Sequence, residues 1–412
     1  TVSCCELLNN LIFPAHEQHH NTSFLVAAVV KGQSNMAAGA TLGSNHNSRA
    51  NDGELEAGRG FWPGLSVSVK HSSRFASYCL LSKGDYHHEL NVPLPFALVA
   101  DNAAKDRLEV MPAYWWMYNM YALLRNETKF LSRDTRQLKN QHIEFSPFAP
   151  DIAEEMFDAL YRLQLYTGRS YYAQSGRKAS DDEAAAKGKE LLRGPKEDVD
   201  ALEIRADDME NSSRPVVILK ARRAYKAYRH MLRFYAVSTL IAYFSERPDA
   251  RFEDAQEVLE GPRVREWDNL GGQIVGRHRV ENLVSMVKSG ELGSWDEVHA
   301  HYDLLWSEYA LEKAQHAWAT LCELKGGADL WKESFVKEIC RFSDTTAFIE
   351  EQVLSTRAKD FANEFRRTTF RGEEEMRAVL GSPEGSSFVR QCRADMERWR
   401  ARVDVLLDRL TS

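Results

Sequence analysis

The feature that most constrains the fold is a period of six residues in the first part of the chain. Between residues 24 and 86, successive blocks of six open with a large apolar residue; these are Phe24, Val30, Met36, Leu42, Val69, Phe75 and Leu81. A period of six matches neither the 3.6-residue repeat of an α-helix nor the alternation of an ordinary strand. It is typical of a parallel β-helix, in which stacked short strands each turn one large side chain inward. A β-sandwich with equally spaced strands is the alternative.

The period is interrupted between Asn47 and Pro63. This stretch contains Gly53, Gly58 and Gly60, and it predicts a loop that leaves the regular coils. Loops of this kind often carry function because a rigid framework positions them.

Charge density separates the beginning of the chain from the rest. Residues 1 to 95 contain 6 Lys or Arg and 7 Asp or Glu, whereas residues 151 to 412 contain 40 and 47. The later part also shows apolar stripes at spacings of three and four, which predict amphipathic helices. We therefore expect β-helix coils over residues 1–95, an aromatic-rich linker and cap over 96–150, and an α-helical domain over 151–412. Within that domain, residues 176 to 214 predict a mobile charged excursion.

Composition excludes several classes of protein. A net charge of −7 disfavours a protein that binds the nucleic-acid backbone, which needs a basic surface. No apolar run approaches the length that spans a bilayer. Six scattered cysteines indicate reduced thiols and a cytoplasmic location. The chain begins at Thr1 without Met, so we expect it to be a piece of something longer.

One segment carries a resemblance to a known family. The stretch NMAAGATLGSNH, residues 35–46, resembles the N-x-G-A-G-T-x-x-x-N-Y motif of the acetyltransferase domain in bifunctional glucosamine-1-phosphate acetyltransferase/UDP-N-acetylglucosamine pyrophosphorylases. These enzymes belong to the hexapeptide-repeat superfamily. Further stretches, among them GRGFWPGLSVSVKHSSRFASY and PAYWWMYNMYALLRN, resemble long hexapeptide-repeat proteins that carry a helical C-terminal region. The resemblance implies the final coils of a left-handed parallel β-helix followed by an α-helical domain, an acyl-CoA cofactor and a homotrimer.

Two histidines are the candidate catalytic residues. His46 occupies the place of the family's Tyr, in a block position where other blocks have small residues, and His71 is the second candidate. A near-neutral imidazole can remove the proton of an acceptor that attacks a thioester. Lys70 and Arg74 flank His71 and are candidates for holding a phosphate or an oxyanion. Two hydrogen-bonded histidines in a protein wall are the alternative.

The candidate substrate-binding residues surround the same segment. By resemblance, Asn45 takes the place of the family's Asn, and Asn35, Asn47 and Arg49 would line the same corner of the coil. Asn ladders also stabilise β-turns in such folds, so a structural role for Asn35 and Asn45 remains open. We predict no metal site. Neither the cluster of Asp85, His87, His88 and Glu89 nor that of His16, His19 and His20 offers three ligands on one regular face.

These observations favour a transferase that acts on a sugar nucleotide or sugar phosphate, with an acyl group moving from acyl-CoA. Two alternatives stay open. One is a non-catalytic β-helix scaffold with a helical interaction domain, and the other is the C-terminal part of a sugar nucleotidyltransferase. The partners we expect are a small sugar phosphate or nucleotide sugar, without nucleic acid or membrane.

Overall fold

A computed structural model describes residues 1–43 and 54–411. Short strands dominate the first part of the chain. The strands are β1 (Glu6–Leu8), β2 (Leu11–Ile12), β3 (Phe24–Val26), β4 (Ala28–Val30), β5 (Thr41–Gly43), β6 (Leu55–Ala57), β7 (Trp62–Pro63), β8 (Ser68–Lys70), β9 (Arg74–Phe75), β10 (Leu80–Leu81), β11 (Asp85–Tyr86), β12 (Asn91–Val92), β13 (Leu98–Asn102), β14 (Arg107–Met111), β15 (Val216–Ile218), β16 (Trp267–Leu270) and β17 (Gln273–Gly276).

These strands form three five-stranded sheets and one hairpin among the described residues. The first sheet has the order β1-β3-β5-β8-β11, the second β12-β9-β6-β4-β2, and the third β15-β14-β13-β10-β7. The first two sheets are parallel throughout, whereas β13 and β14 pair antiparallel in the third. Parallel neighbours are separated in sequence by strands of other sheets, so turns between sheets recur along the chain.

The six-residue pattern predicts the buried side chains well. Val30, Met36, Leu42, Val69, Phe75 and Leu81 are all buried. Burial of such side chains supplies most of the free energy that holds short strands together, since each strand makes few hydrogen bonds. The apolar pattern thus marks the core.

The predicted fold class, a left-handed parallel β-helix followed by an α-helical domain, is nevertheless wrong. The fold is α/β: about half of the chain is helical, and the sheets are parallel or mixed. The third sheet contains the antiparallel pair β13–β14 and also takes in β15, which comes from the part predicted to be only helical. Pairing between residues this far apart in sequence leaves no local period, so the six-residue pattern could not show it.

The α-helices begin shortly after β14, with the aromatic residues Tyr114, Trp115, Trp116 and Tyr118 in the first of them. They are α1 (Tyr114–Tyr118), α2 (Met120–Arg133), α3 (Pro150–Gln174), α4 (Asp181–Arg193), α5 (Lys196–Asp200), α6 (Ala221–Ser245), α7 (Phe252–Leu259), α8 (Arg277–Ser289), α9 (Trp295–Leu324), α10 (Lys332–Ala362), α11 (Glu364–Arg367), α12 (Glu373–Leu380) and α13 (Ser387–Thr411). The apolar stripe predicted in α3 is buried; its members are Met156, Leu160, Leu163 and Tyr166.

The chain divides into two compact units. The first comprises Thr1–Trp115, Lys129–His230 and Arg265–Trp306, and the second comprises Trp116–Thr128, Met231–Val264 and Ser307–Ser412. The three sequence ranges predicted as domains stay a prediction. All sheets belong to the first unit, which also contains the residues discussed below as a candidate site.

The segment predicted as a mobile charged excursion is a packed helix. Glycines in α3 and α4 let the two backbones approach closely: a Cβ on Gly168 would lie 1.8 Å from the carbonyl oxygen of Ala184, and one on Gly188 would lie 1.8 Å from that of Gln164. Ser180 caps the N-terminus of α4 by accepting a hydrogen bond from the amide of Glu183. The charged residues of α4 occupy exposed or half-buried positions, and its buried positions hold Ala, Gly and Leu.

Two predicted irregular segments are strands. Within the predicted loop, Leu55–Ala57 and Trp62–Pro63 form β6 and β7, while its residues 47–53 lie outside the described residues. The Gly271-Gly272 pair connects β16 and β17, in the part of the chain predicted to be α-helical. Both glycines have positive φ angles, as two-residue hairpin turns require.

Candidate functional site

A cleft opens beside the turn between β8 and β9, where the chain passes from the first sheet to the second. It has a volume of about 380 Å³ and is lined by Glu54, Glu56, Ser72, Ser73, Arg74, Leu90 and Asn91. We call it the corner cleft. Small-molecule sites commonly occupy about 300–1,000 Å³, so the corner cleft is large enough for a small ligand.

Glu56 pairs with two cations at the corner cleft. Its Oε1 lies 2.6 Å from the Nζ of Lys31, and its Oε2 lies 2.8 Å from the Nη2 of Arg74. Burial acts to raise the pKa of Glu56, but the ion pairs with these cations outweigh it and lower that pKa. Arg74, predicted to hold a phosphate, therefore already shares one side of its guanidinium with a carboxylate.

Lys70, the second predicted phosphate ligand, is also paired. Its Nζ lies 2.6 Å from Glu89 Oε1, and the Nδ2 of Asn211 donates to the other oxygen of Glu89 at 3.0 Å. The hydrogen bond from Lys70 lowers the pKa of Glu89 to about 2. This carboxylate stays ionised at neutral pH and keeps the charge of Lys70 balanced.

His71 occupies the turn between β8 and β9, directly before the lining residues Ser72, Ser73 and Arg74. Its Nδ1 is buried and has no hydrogen-bond partner among the residues that the structure describes. The turn itself is held by Ser73, whose Oγ donates to the carbonyl of Lys70 at 2.7 Å and accepts from the amide of Leu90. A buried polar atom without a partner costs about 1–3 kcal/mol, and His71 itself is not among the residues that line the corner cleft.

None of the other predicted site residues is among the described residues that line the corner cleft. Asn35 is half-buried, and its backbone amide donates to the carbonyl of Phe61. This places it beside the third sheet rather than at the turn of His71. His46, Asn45, Asn47 and Arg49 lie outside the described residues. The structure therefore brings together three of the predicted residues, namely Lys70, His71 and Arg74.

A second cluster of charged residues surrounds Arg59, which is buried, while its partner Asp151 is half-buried. The guanidinium of Arg59 donates to both carboxylate oxygens of Asp151, at 2.9 and 2.8 Å. Its Nη1 also donates to Gln33 Oε1 and to the carbonyls of Glu144 and Ser146. Burial acts to lower the pKa of Arg59, but the charge of Asp151 outweighs burial and raises it. We call this arrangement the buried corner, and it joins the turn after β6 to the start of α3.

Glu155, one helical turn after Asp151, belongs to the same buried corner. Its carboxylate accepts hydrogen bonds from the amide and the hydroxyl of Ser77, at 2.9 and 3.1 Å. Burial, together with the nearby charge of Asp151, raises its pKa to about 7, although the hydrogen bonds from Ser77 act to lower it. The donors and acceptors of the buried corner satisfy one another, so we assign this network a structural role rather than a ligand-binding one.

Sequence reasoning missed the acidic side of the corner cleft. Glu56 lies opposite Arg74 in the pairing of β6 with β9, three blocks of six residues earlier in the chain. The same spacing could have identified the pair if the charged positions had been compared across blocks. Glu54 and Asn91 carry no comparable sequence signal.

The described residues contain neither a metal-binding cluster nor a membrane-spanning helix. In residues 1–43 and 54–411, no group of three or more His, Cys, Asp or Glu side chains is arranged to hold a metal ion. Over the same ranges, no helix combines the length and apolar character needed to cross a membrane.

The chain is thus an α/β protein with a polar cleft at a turn between two sheets. Residues 255–410 match the family described as "Domain of unknown function (DUF6819)". The chain is 42% identical over 401 residues, or 95% of its length, to a protein of Treponema pallidum (strain Nichols) described as "Uncharacterized protein". It spans about half of that relative, 53% of its length. No solved structure matches the chain.

These comparisons overturn the resemblance drawn from the sequence. They contain no hexapeptide-repeat family, so assignment to that superfamily, with its left-handed β-helix, is wrong. The motif-like stretch at residues 35–46 combines small residues, Gly and Asn, a composition that any chain with repeated tight turns requires.

Proposed function

We propose that the chain is a transferase that moves an acyl group from acyl-CoA to a hydroxyl of a sugar phosphate or nucleotide sugar bound at the corner cleft. The observation that carries the proposal is the Nδ1 of His71, which is buried and makes no hydrogen bond with the described residues. His71 directly precedes Ser72, Ser73 and Arg74, which line the cleft. A hydroxyl that donates to this nitrogen is placed as a general base requires.

The reaction assigns the proton and the acyl group as follows. His71 takes the proton from the acceptor hydroxyl while the oxygen attacks the thioester carbonyl. A new C–O bond forms, the C–S bond breaks, and the CoA thiolate leaves and takes up the proton. The N–H groups of Arg74 that are not used for Glu56 are the donors we assign to the carbonyl oxygen, on which negative charge develops.

A non-catalytic scaffold is the second candidate function. It is favoured by the ion pairs that occupy both cations, Lys70 with Glu89 and Arg74 with Glu56. In that case the corner cleft is a structural feature of the turn, and the helices of the chain provide the binding surface for a protein partner.

The proposal also covers assembly and location. Six free cysteines support a reducing, cytoplasmic environment. We propose a homotrimer, since a cleft at the side of a sheet can be completed by a neighbouring copy. Light scattering of the purified protein tests this, and a monomer at micromolar concentration would exclude a shared site.

Calorimetry and a thiol-release assay test the catalytic proposal. We expect the purified protein to bind acetyl-CoA or a UDP-sugar, and to release CoA thiol when a sugar phosphate or UDP-sugar is present. His71→Gln should abolish thiol release, whereas the control His299→Gln, at an exposed position of α9, should retain it. Absence of heat with both acetyl-CoA and UDP-sugars would reject the transferase and favour the scaffold.

A further inference from the structure

The polar groups left free in the corner cleft indicate which part of a ligand it accepts. Glu54, Ser72 and Asn91 line the cleft, and within the described parts of the chain their side chains make no hydrogen bond or ion pair. Arg74 uses Nη2 for Glu56, and its remaining N–H groups stay available. The cleft thus offers a carboxylate, a hydroxyl, an amide and one edge of a guanidinium.

The charges at the corner cleft do not favour an anion. Lys31 and Arg74 share the carboxylate of Glu56, and Lys70 is neutralised by Glu89. The carboxylate of Glu54 remains without a cation among the described residues. A phosphate entering the cleft would lose hydration and meet this like charge, and such juxtaposition costs several kcal/mol.

Hydroxyl groups, in contrast, can form hydrogen bonds with each of the unpaired polar side chains named above. A hydroxyl can donate to the carboxylate of Glu54 or to the amide oxygen of Asn91, and it can accept from Arg74 or from the amide nitrogen of Asn91. Hydrogen bonds to ionised side chains are the stronger ones. Adjacent hydroxyls on one ring satisfy donors and acceptors that lie side by side, and Arg74 and Asn91 are neighbours in the pairing of β9 with β12.

We propose that the corner cleft binds an uncharged, hydroxyl-rich ring of the ligand, of the sugar type, and that any phosphate of that ligand stays outside the cleft. This inference rests on the proposed function, whose acceptor it describes. A volume of about 380 Å³ lies near the lower end of the usual range for small-molecule sites, which favours one ring over an entire nucleotide sugar.

Titration calorimetry with neutral monosaccharides and inorganic phosphate tests the inference. We expect at least one of glucose, mannose, galactose and N-acetylglucosamine to bind, with a Kd that changes less than about twofold with salt, because no net charge is neutralised. Inorganic phosphate should give no heat. Binding of phosphate without any monosaccharide, or of neither, would overturn the inference.

A variant of Glu54 links the binding to this cleft. Glu54→Gln keeps the size of the exposed side chain and removes the charged acceptor, so monosaccharide binding should weaken about tenfold. The control Glu374→Gln, at an exposed position in α12, should bind as the unmodified protein does. The assignment would be contradicted if Glu54→Gln bound monosaccharides as tightly as the unmodified protein does. It would also be contradicted if the unmodified protein bound phosphate.

The outcomes for this inference and for the proposed function are separable. Monosaccharide binding without thiol release would reject the acyl transfer and leave the ring-binding cleft in place. The opposite result is thiol release that depends on His71, with phosphate rather than a monosaccharide bound in a way that Glu54→Gln alters. It would keep the transferase and reject the uncharged ring as the occupant of the cleft.

Discussion

Two arginines beside strands of the second sheet differ in burial and in the number of their partners. One lies in the turn after β6 and the other begins β9. Arg59, in the buried corner, is 2% exposed and donates to four partners. Arg74, at the corner cleft, has a side chain that is 70% exposed and pairs only with Glu56 among the described residues. The difference teaches that the number of donors already in use, rather than the charge, separates a structural arginine from one that is free to meet a ligand.

The largest effect we predict is on the buried corner. Arg59→Met should lower the free energy of unfolding by about 3–5 kcal/mol, because it leaves Asp151 without its partner in a site shielded from water. Chemical denaturation followed by circular dichroism measures this value. A loss below about 1 kcal/mol, in the range of exposed ion pairs, would show that the buried corner does not hold α3 to the sheets.

The next prediction concerns the pH dependence of the buried corner. The pKa of Glu155 is raised from 4.5 to about 7 by burial, so the folded protein holds a proton that the unfolded chain releases between these values. Stability from this group is present below about pH 4.5 and is lost as pH rises to about 7. The full loss corresponds to about 3 kcal/mol.

Glu155→Gln removes that titration while it preserves an acceptor for the amide of Ser77. We expect the variant to be more stable than the unmodified protein at pH 8, by about 1–3 kcal/mol, and nearly equal to it at pH 5. Denaturation curves across this pH range provide the measurement. A variant that is less stable than the unmodified protein at both pH values would mean that the ionised carboxylate is well accommodated.

A smaller loss is expected from the backbone of the buried corner. A Cβ on Gly58 would lie 2.6 Å from the backbone nitrogen of Ser77, so Gly58→Ala should cost about 1–3 kcal/mol through overpacking. Gly261→Ala is the matched control, because a Cβ there meets no atom within 4 Å. Equal stability of the two variants would show that the turn of Arg59 shifts at little cost.

The sequence predicts the core and the helices better than the contacts that define these two corners. The six-residue period identifies buried positions such as Val30 and Leu81, and the stripe of α3 is correct as well. Both follow from periodicities of neighbouring residues. The pattern also places Lys70, His71 and Arg74 near one turn, because they are close in sequence.

The remaining features depend on partners that are distant in sequence. Arg59 and Asp151 are 92 residues apart, and β15 joins a sheet whose other strands end at Met111. No local period records such pairings, so the sequence alone led to a separate helical domain instead of an α/β fold. Glu56 is an exception, because it lies three blocks of six residues before its partner Arg74.

The smallest effect on stability should come from the corner cleft. Arg74→Met removes an exposed ion pair, and we expect the free energy of unfolding to fall by less than about 1 kcal/mol, against the larger loss for Arg59→Met. The same variant should weaken monosaccharide binding, since Arg74 supplies the donors on one wall. If Arg74→Met instead destabilised the protein as strongly as Arg59→Met and left binding unchanged, the two corners would be equivalent structural features. The contrast between a satisfied arginine and an available one would then no longer support a ligand site.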